Sequence, residues 1–219
     1  MLILFLSEFF TYLEVKIGSE MTIDVNRGGE KLMINVDITL HRFPCSLLSI
    51  DIQDVMGSHT VNVHGTLTKN KLDKTGKVIG QEIYRKAQLN PILDHGEDNH
   101  GNDEEMPDLN LVKAEIDAEE GCQVFGHFFV NKVPGNFHLS AHAYGKVVQR
   151  IASMGYFRFD VAHTVNHLSF GDDRELKNIK KNFKEGVLSP LDGVQRMDRE
   201  KKVYEYYLKV SLFFDFIYC

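Results

Sequence analysis

Residues 31–40 read KLMINVDITL. Leu32, Ile34, Val36, Ile38 and Leu40 alternate with Met33, Asn35, Asp37 and Thr39. A period of two puts the five apolar side chains on one face of a strand and the others on the opposite face. One buried and one solvated face is the signature of an antiparallel sheet. The same period returns downstream. Ser49 to Val55 and Thr60 to Thr68 follow at hairpin spacing around Gly57. Asp73-Lys74-Thr75-Gly76 reads as a turn into Lys77 to Tyr84. Cys122 to Val130, Phe137 to His142 and Tyr156 to Val165 continue the series. Two stretches break it with helical spacing. Leu109, Val112 and Ile116 stand at i, i+3 and i+7, and Asp172 with Glu175 forms a capping box ahead of Leu176, Ile179 and Phe183. The expectation is an all-β (mainly) fold, an antiparallel β-sandwich with one or two short helices.

The chain has 219 residues, 43% of them hydrophobic, and 15 Phe, enough for a core without staples. Lys and Arg number 25 against 31 Asp and Glu, a net charge of −6. The absence of a basic run excludes nucleic acid as a partner on electrostatic grounds. The acidity is concentrated between Asp94 and Glu120, where Lys113 is the single base. Its first half, Asp94 to Asp108, has too little apolar surface to offset the entropy of ordering, and reads as a mobile loop. Asp98, Asn102 and Glu105 lack the alternation of a calcium loop.

The ends are apolar. Met1 to Leu13, MLILFLSEFFTYL, is shorter than the roughly 20 residues a spanning helix needs. It has neither the positive n-region nor the small-residue cleavage site of a signal peptide. It fits a buried amphipathic helix, or the outer end of a membrane span whose start precedes this chain. Residues 203–219 are aromatic and apolar, but Asp215 and the Tyr-rich pattern fit a strand better than a span.

Cys45 and Cys122 each sit at a strand edge. In an oxidising lumen they form a bridge worth roughly 4 kcal/mol in the chain-entropy model. In a reducing compartment they are two buried thiols. There is no C-x-x-C. Of ten histidines, His138 with His142 and His163 with His167 stand four apart, which puts each pair on one face of a helix or strand. The Glu of a zinc-hydrolase H-E-x-x-H is missing from both. No G-x-S-x-G elbow is present.

Several runs carry a resemblance. Ile34 to Thr39 with Pro44-Cys45, Gly121 to His127 and Val130 to His138 resemble the lumenal domain of the early-secretory cargo-receptor family. That family comprises the endoplasmic reticulum vesicle proteins and the ER–Golgi intermediate compartment proteins. Asn166-His167-Leu168-Ser169-Phe170-Gly171 and Ser189-Pro190-Leu191-Asp192-Gly193 follow in the family's order. The resemblance implies a protein that cycles between endoplasmic reticulum and Golgi as a subunit of a hetero-oligomer and sorts or retrieves cargo proteins. It is held in the endoplasmic reticulum, intermediate-compartment and Golgi membranes, with this domain facing the lumen and coat-binding tails outside this chain. It implies no catalytic residue, no cofactor and no metal.

On this model residues 1–13 are the lumenal end of a truncated first transmembrane span, and residues 14–219 are the lumenal β-sandwich domain, with an acidic flexible segment at 94–120. The run after Val210 does not resemble the family. With one Cys in each of two family-like motifs and an oxidising lumen implied, Cys45 pairs with Cys122. The chain looks like the subunit type without an additional lumenal cysteine pair. The interval from Tyr84 to Glu120 is too short for the thioredoxin domain of the disulfide-isomerase-like members. Pro134, Gly135, Asn136, Phe137, Asn166, His167, Leu168, Ser169, Phe170, Gly171, Pro190, Leu191, Asp192 and Gly193 are family-motif positions that contact a partner or form the fold. His127, His138, His142, His163 and His167 are candidate pH sensors, because imidazole titrates over the pH range between endoplasmic reticulum and Golgi. The competing readings are a soluble metal-dependent hydrolase using the paired histidines, and a soluble β-sandwich that binds protein or carbohydrate.

Overall fold

The computed structural model describes residues 2–13, 31–54, 65–84, 107–156, 160–182, 188–198 and 203–210. The chain divides into one unit of Met1–Gly28 with Tyr206–Cys219 and a second of Gly29–Glu205. In the first, Leu2–Leu13 is a helix, α1, with no buried residue. Leu2, Ile3, Leu4, Phe5, Phe9, Phe10, Tyr12 and Leu13 are all exposed around it.

The second unit is built on β1, Lys31–Leu40. It lies between β5, Gly121–Asn131, and β7, His163–Phe170, antiparallel to both. β3, Gly65–Leu72, adds to the far side of β5 and carries β4, Val78–Tyr84, at the edge. β8, Gln195–Arg196, pairs with the start of β7. The six strands run in the order β4-β3-β5-β1-β7-β8. A second sheet pairs β2, Ser49–Asp54, with β6, Gly135–Ser140. Ile34, Val36, Ile38 and Leu40 are 5–8% exposed and share one core with Val124 and Phe128 of β5 and Ile50 and Ile52 of β2. Phe137 of β6 meets Phe128 edge to face, with centroids 5.7 Å apart. Each such side chain contributes about 1.5–3 kcal/mol on burial. The all-β expectation is met.

Several expectations are corrected. β2 does not form a hairpin with β3. It pairs instead with β6, because Ile50 and Ile52 lie opposite Leu139 and Phe137 and bury that apolar face against the larger sheet. Residues 55–64, with Gly57, lie outside the described residues. The strand expected from Tyr156 begins at His163 and runs on to Phe170. Tyr156 instead ends the turn after a helix, its N–H bonded to the Ile151 carbonyl.

Helices are also more numerous than the one or two expected. Besides α1 there are α2, Leu109–Asp117, α3, Gly145–Ser153, and α4, Asp173–Asn182. α3 was not visible as a helix because β-branched Val147, Val148 and Ile151 also suit a strand; Val147 and Ile151, four apart, bury one stripe. The flexible segment expected at 94–120 does not extend through α2. Asp108 caps that helix by accepting from Asn110 N at 2.9 Å, and Val112 is completely buried. Residues 94–106 lie outside the described residues, as do 211–219. Within the expected C-terminal strand, 203–210 show no strand.

Buried charge fastens α2. Glu115, 2% exposed, accepts from Ser46 Oγ at 2.7 Å and pairs with Lys71 Nζ at 2.9 Å. Lys69 on β3, 3% exposed, donates from Nζ to the carbonyls of Cys45 and Leu48, at the two ends of a 3-10 turn over Cys45–Leu47. Desolvation by burial pulls its amine down to about 8, against the opposing pull of Glu82 and Glu115. Cys45 is bonded to Cys122 across 77 residues of sequence, with Cα atoms 4.9 Å apart, and both are buried. Cys219 lies outside the described residues.

Candidate functional site

The face of the six-stranded sheet opposite the core carries the polar half of the alternation. Register places Thr66, His127, Asn35 and Ser169 in one row across β3, β5, β1 and β7. Thr68, Phe125, Asp37 and His167 form the next row, and Asn70, Gln123, Thr39 and Thr164 the third. Side chains link across the strands. Asn70 Nδ2 donates to Gln123 Oε1 at 3.2 Å, and Gln123 Nε2 donates to Asp37 Oδ1 at 2.8 Å. The same oxygen accepts from Asn166 Nδ2 at 2.8 Å, and Asn166 also donates to Thr39 Oγ1 at 2.9 Å. At the end of the face His41 Nε2 lies 2.8 Å from Thr164 Oγ1; burial first, then Arg42 and His163, lower its pKa.

A bulge explains how Asn166 and His167 both reach this face. The β1–β7 register shifts between Asp37 and Ile38, so that Val165 opposes Ile38 while His167 opposes Asp37 and Asn166 is the extra residue. Val165 and Leu168 are buried on the core side. The bulge also separates His163 from His167. His163 lies opposite core-facing Leu40, is 7% exposed, and contacts Tyr204 with ring centroids 5.1 Å apart. The expectation that these two share a face is therefore corrected. One inserted residue inverts the alternation.

Beside the bulge lies a hydrogen-bonded clasp. His167 Nδ1 is 2.8 Å from Asp192 Oδ2, and the other oxygen of Asp192 accepts from Leu168 N at 2.9 Å. His167 Nε2 is 3.0 Å from Ser169 Oγ. Asn35 Nδ2 approaches Ser169 Oγ at 3.0 Å, the Gly171 carbonyl at 2.9 Å and Asp173 Oδ1 at 3.2 Å. Gly193 N bonds the Val165 carbonyl at 2.8 Å, and Gly171 N the Met33 carbonyl at 2.8 Å. Gly171 and Gly193 stand at φ +111° and +79°, where a side chain is strained. The Ser169, His167 and Asp192 distances are those of a hydrolase triad. Ser169, however, is completely buried, so a substrate carbonyl has no path to its hydroxyl. The arrangement instead fastens the 188–194 loop and the start of α4 to β1 and β7.

The remaining motif residues divide. Pro134 lies in the exposed turn between β5 and β6, beside Val133 at 47% exposure, Gly135 and Asn136 are exposed at the start of β6, and Phe137 packs on the core. Phe170 and Leu191 also pack on the core, and Pro190 is exposed. Of the candidate pH sensors, His127 and His167 lie on the same outer face, and His127 rests edge-on against Phe129. His138 is exposed on β6, opposite Asp51, and His142 is exposed in the turn that follows. Among the described residues no group of three or more His, Cys, Asp or Glu is placed to hold a metal ion. Asn35, Asp37 and Asp173 are central to the clasp and ladder yet were not singled out from sequence. For Asn35 and Asp37 the signal was the polar phase of β1.

A family model for the endoplasmic reticulum vesicle transporter matches residues 102–213, and one for the endoplasmic reticulum–Golgi intermediate compartment matches residues 1–61. A probable endoplasmic reticulum–Golgi intermediate compartment protein 3 from Dictyostelium discoideum is 32% identical over 94% of this chain and 63% of its own length. Endoplasmic reticulum–Golgi intermediate compartment protein 1 from Xenopus laevis is 26% identical over 94% of this chain and 53% of its own length. The chain thus spans between about half and two thirds of these curated relatives. The crystal structure of Erv41p aligns with a TM-score of 0.45 and 20% identity over 84% of this chain and 71% of that one.

Proposed function

Because the chain belongs to the endoplasmic reticulum vesicle transporter family, we propose that it supplies the lumenal β-sandwich of a cargo-receptor subunit cycling between endoplasmic reticulum and Golgi. The observation that carries this reading is the joining of the two family-matched segments through one core. Cys45, in the first, is bonded to Cys122, in the second, and a buried disulfide suits an oxidising lumen. α1 supports attachment to a membrane. Apart from one stripe of Ser7, Glu8 and Thr11, α1 is apolar and has no buried residue, and so wide an exposed apolar face needs an apolar surrounding. No described helix is itself long and apolar enough to cross a membrane; on this proposal α1 lies at the lumenal edge of the bilayer.

The partners on this reading are a related subunit, cargo proteins, and a vesicle coat reached through segments outside this chain. The exposed tip Val133 to Asn136 and the outer face around His167 are the motif surfaces available for contact. His127 and His167, sharing that face, are the histidines best situated to make partner binding depend on pH.

The test is expression of the tagged protein in cells. Expected are co-localisation with endoplasmic reticulum and intermediate-compartment markers, protease protection of the sandwich in sealed microsomes, and co-purification of a related subunit. A diffuse cytosolic signal with Cys45 and Cys122 both alkylated without reductant would overturn the reading.

A further inference from the structure

Ser169 has one hydroxyl hydrogen and two acceptors for it, His167 Nε2 at 3.0 Å and Asp173 Oδ1 at 3.3 Å. We propose that His167, Ser169 and Asp173 form a hydrogen-bond relay that couples the charge on the β7 imidazole to the first turn of α4. The argument is a count of hydrogens. Asp192 Oδ2 can only accept, so in the neutral ring the proton sits on Nδ1, 2.8 Å away. Nε2 then carries a lone pair, and Ser169 donates to it. Asp173 Oδ1 then has only a share in the two Asn35 amide hydrogens, which also face Ser169 Oγ and the Gly171 carbonyl.

A proton taken from solvent by Nε2 reverses the direction. The ring donates to Ser169 Oγ, and the hydroxyl hydrogen turns to its remaining acceptor, Asp173 Oδ1. Asn35 donates to Ser169 Oγ in either state, so that oxygen keeps a partner throughout. The imidazolium also comes within 3.9 Å of Asp173 Oδ1.

The charged groups around His167 come from three directions. Asp192 lies in the loop before β8, Asp37 lies opposite on β1, and Asp172, Asp173 and Arg174 open α4. Arg174 Nε already faces Asp172 Oδ1 at 3.7 Å. His167 is 39% exposed at its side chain, enough for exchange with solvent, whereas Ser169 is sealed. Protonation thus gives the exposed Asp173 the Ser169 hydroxyl hydrogen and fixes the start of a helix whose Arg174 N bonds the Asp172 side chain and whose Leu176 N bonds the Asp172 carbonyl. This coupling belongs to the domain and stands whether or not the chain sorts cargo.

The experiment follows two signals in the intact 219-residue chain by NMR between roughly pH 5.5 and 7.5. One is the His167 ring, and the other is Leu176 amide exchange expressed as a protection factor. One added hydrogen bond is expected to raise that factor about 2- to 10-fold, with the midpoint of the ring titration. In Ser169→Ala, and separately in Asp173→Ala at an exposed position, the ring still titrates and Leu176 no longer follows it. A Leu176 protection factor flat in wild type, or one that tracks the ring equally in Asp173→Ala, would overturn the relay. Undiminished tracking in Ser169→Ala would also do so, since it would make the coupling one of charge through space.

Discussion

Lys69 is the residue whose chemistry departs furthest from its composition. A lysine on a strand is ordinarily read as solvated, yet here the amine lies under the 3-10 turn and bonds two carbonyls. Its amine is held at about 8, below the unfolded value near 10.4. Between those values the unfolded chain binds the extra proton, so this group makes stability rise with pH across that window. Below pH 8 the buried charge opposes folding. The slope amounts to roughly 3 kcal/mol over the interval. Urea unfolding of wild type and Lys69→Met at pH 7.5, 9 and 10 should show the difference, with the variant lacking this upward slope. Equal slopes would mean that the amine titrates as if exposed. Burial of Lys69 was not legible in sequence. Lys69 and Lys71 stand in the same phase of β3, but only the turn packed above Lys69 tells it apart from half-exposed Lys71.

At the scale of elements, Gly126 sets how closely β3 and β5 approach. It stands at φ +132°, and a Cβ there would fall 2.0 Å from the Thr66 carbonyl oxygen. Gly126→Ala must therefore push the two strands apart as well as strain the backbone, and is expected to cost more than about 3 kcal/mol. Gly80→Ala is the control, because its Cβ meets only the Lys71 side chain, at 3.6 Å; a change within about 0.5 kcal/mol is expected. Thermal melts of the two variants decide this, and equal stability would show that β5 tolerates a side chain there. β1 was legible from its alternation, and α2 from its three apolar positions. The pairing of β2 with β6 was not, because a period of two identifies a strand and its buried face without naming its neighbour. The bulge at Asn166 was hidden for a related reason. It exists only relative to the register of β1.

For the whole molecule the disulfide is the longest covalent tie among the described residues. It closes 77 residues of sequence separation between the turn after β1 and the start of β5. Removing it with Cys45→Ser and Cys122→Ser together should lower stability by about 2–4 kcal/mol, read as a shift in urea midpoint that reductant reproduces in wild type. An unshifted midpoint would mean that the bridge constrains nothing in the unfolded chain. The sequence alone determined the all-β class, the core face of β1, the helical spacing of α2 and the family to which the motifs belong. These follow from local periodicity and short ordered runs, which need no knowledge of what lies across space. Only the tertiary structure decided that Ser169, His167, Asp192, Asn35 and Asp173 meet in one hydrogen-bonded clasp, and that His163 turns away from it. Those groups come from β1, β7, α4 and the 188–194 loop, and hydrogen bonds act over about 3 Å. Their meeting therefore depends on strand order, register and one inserted residue, none of which is written in the spacing of any single segment.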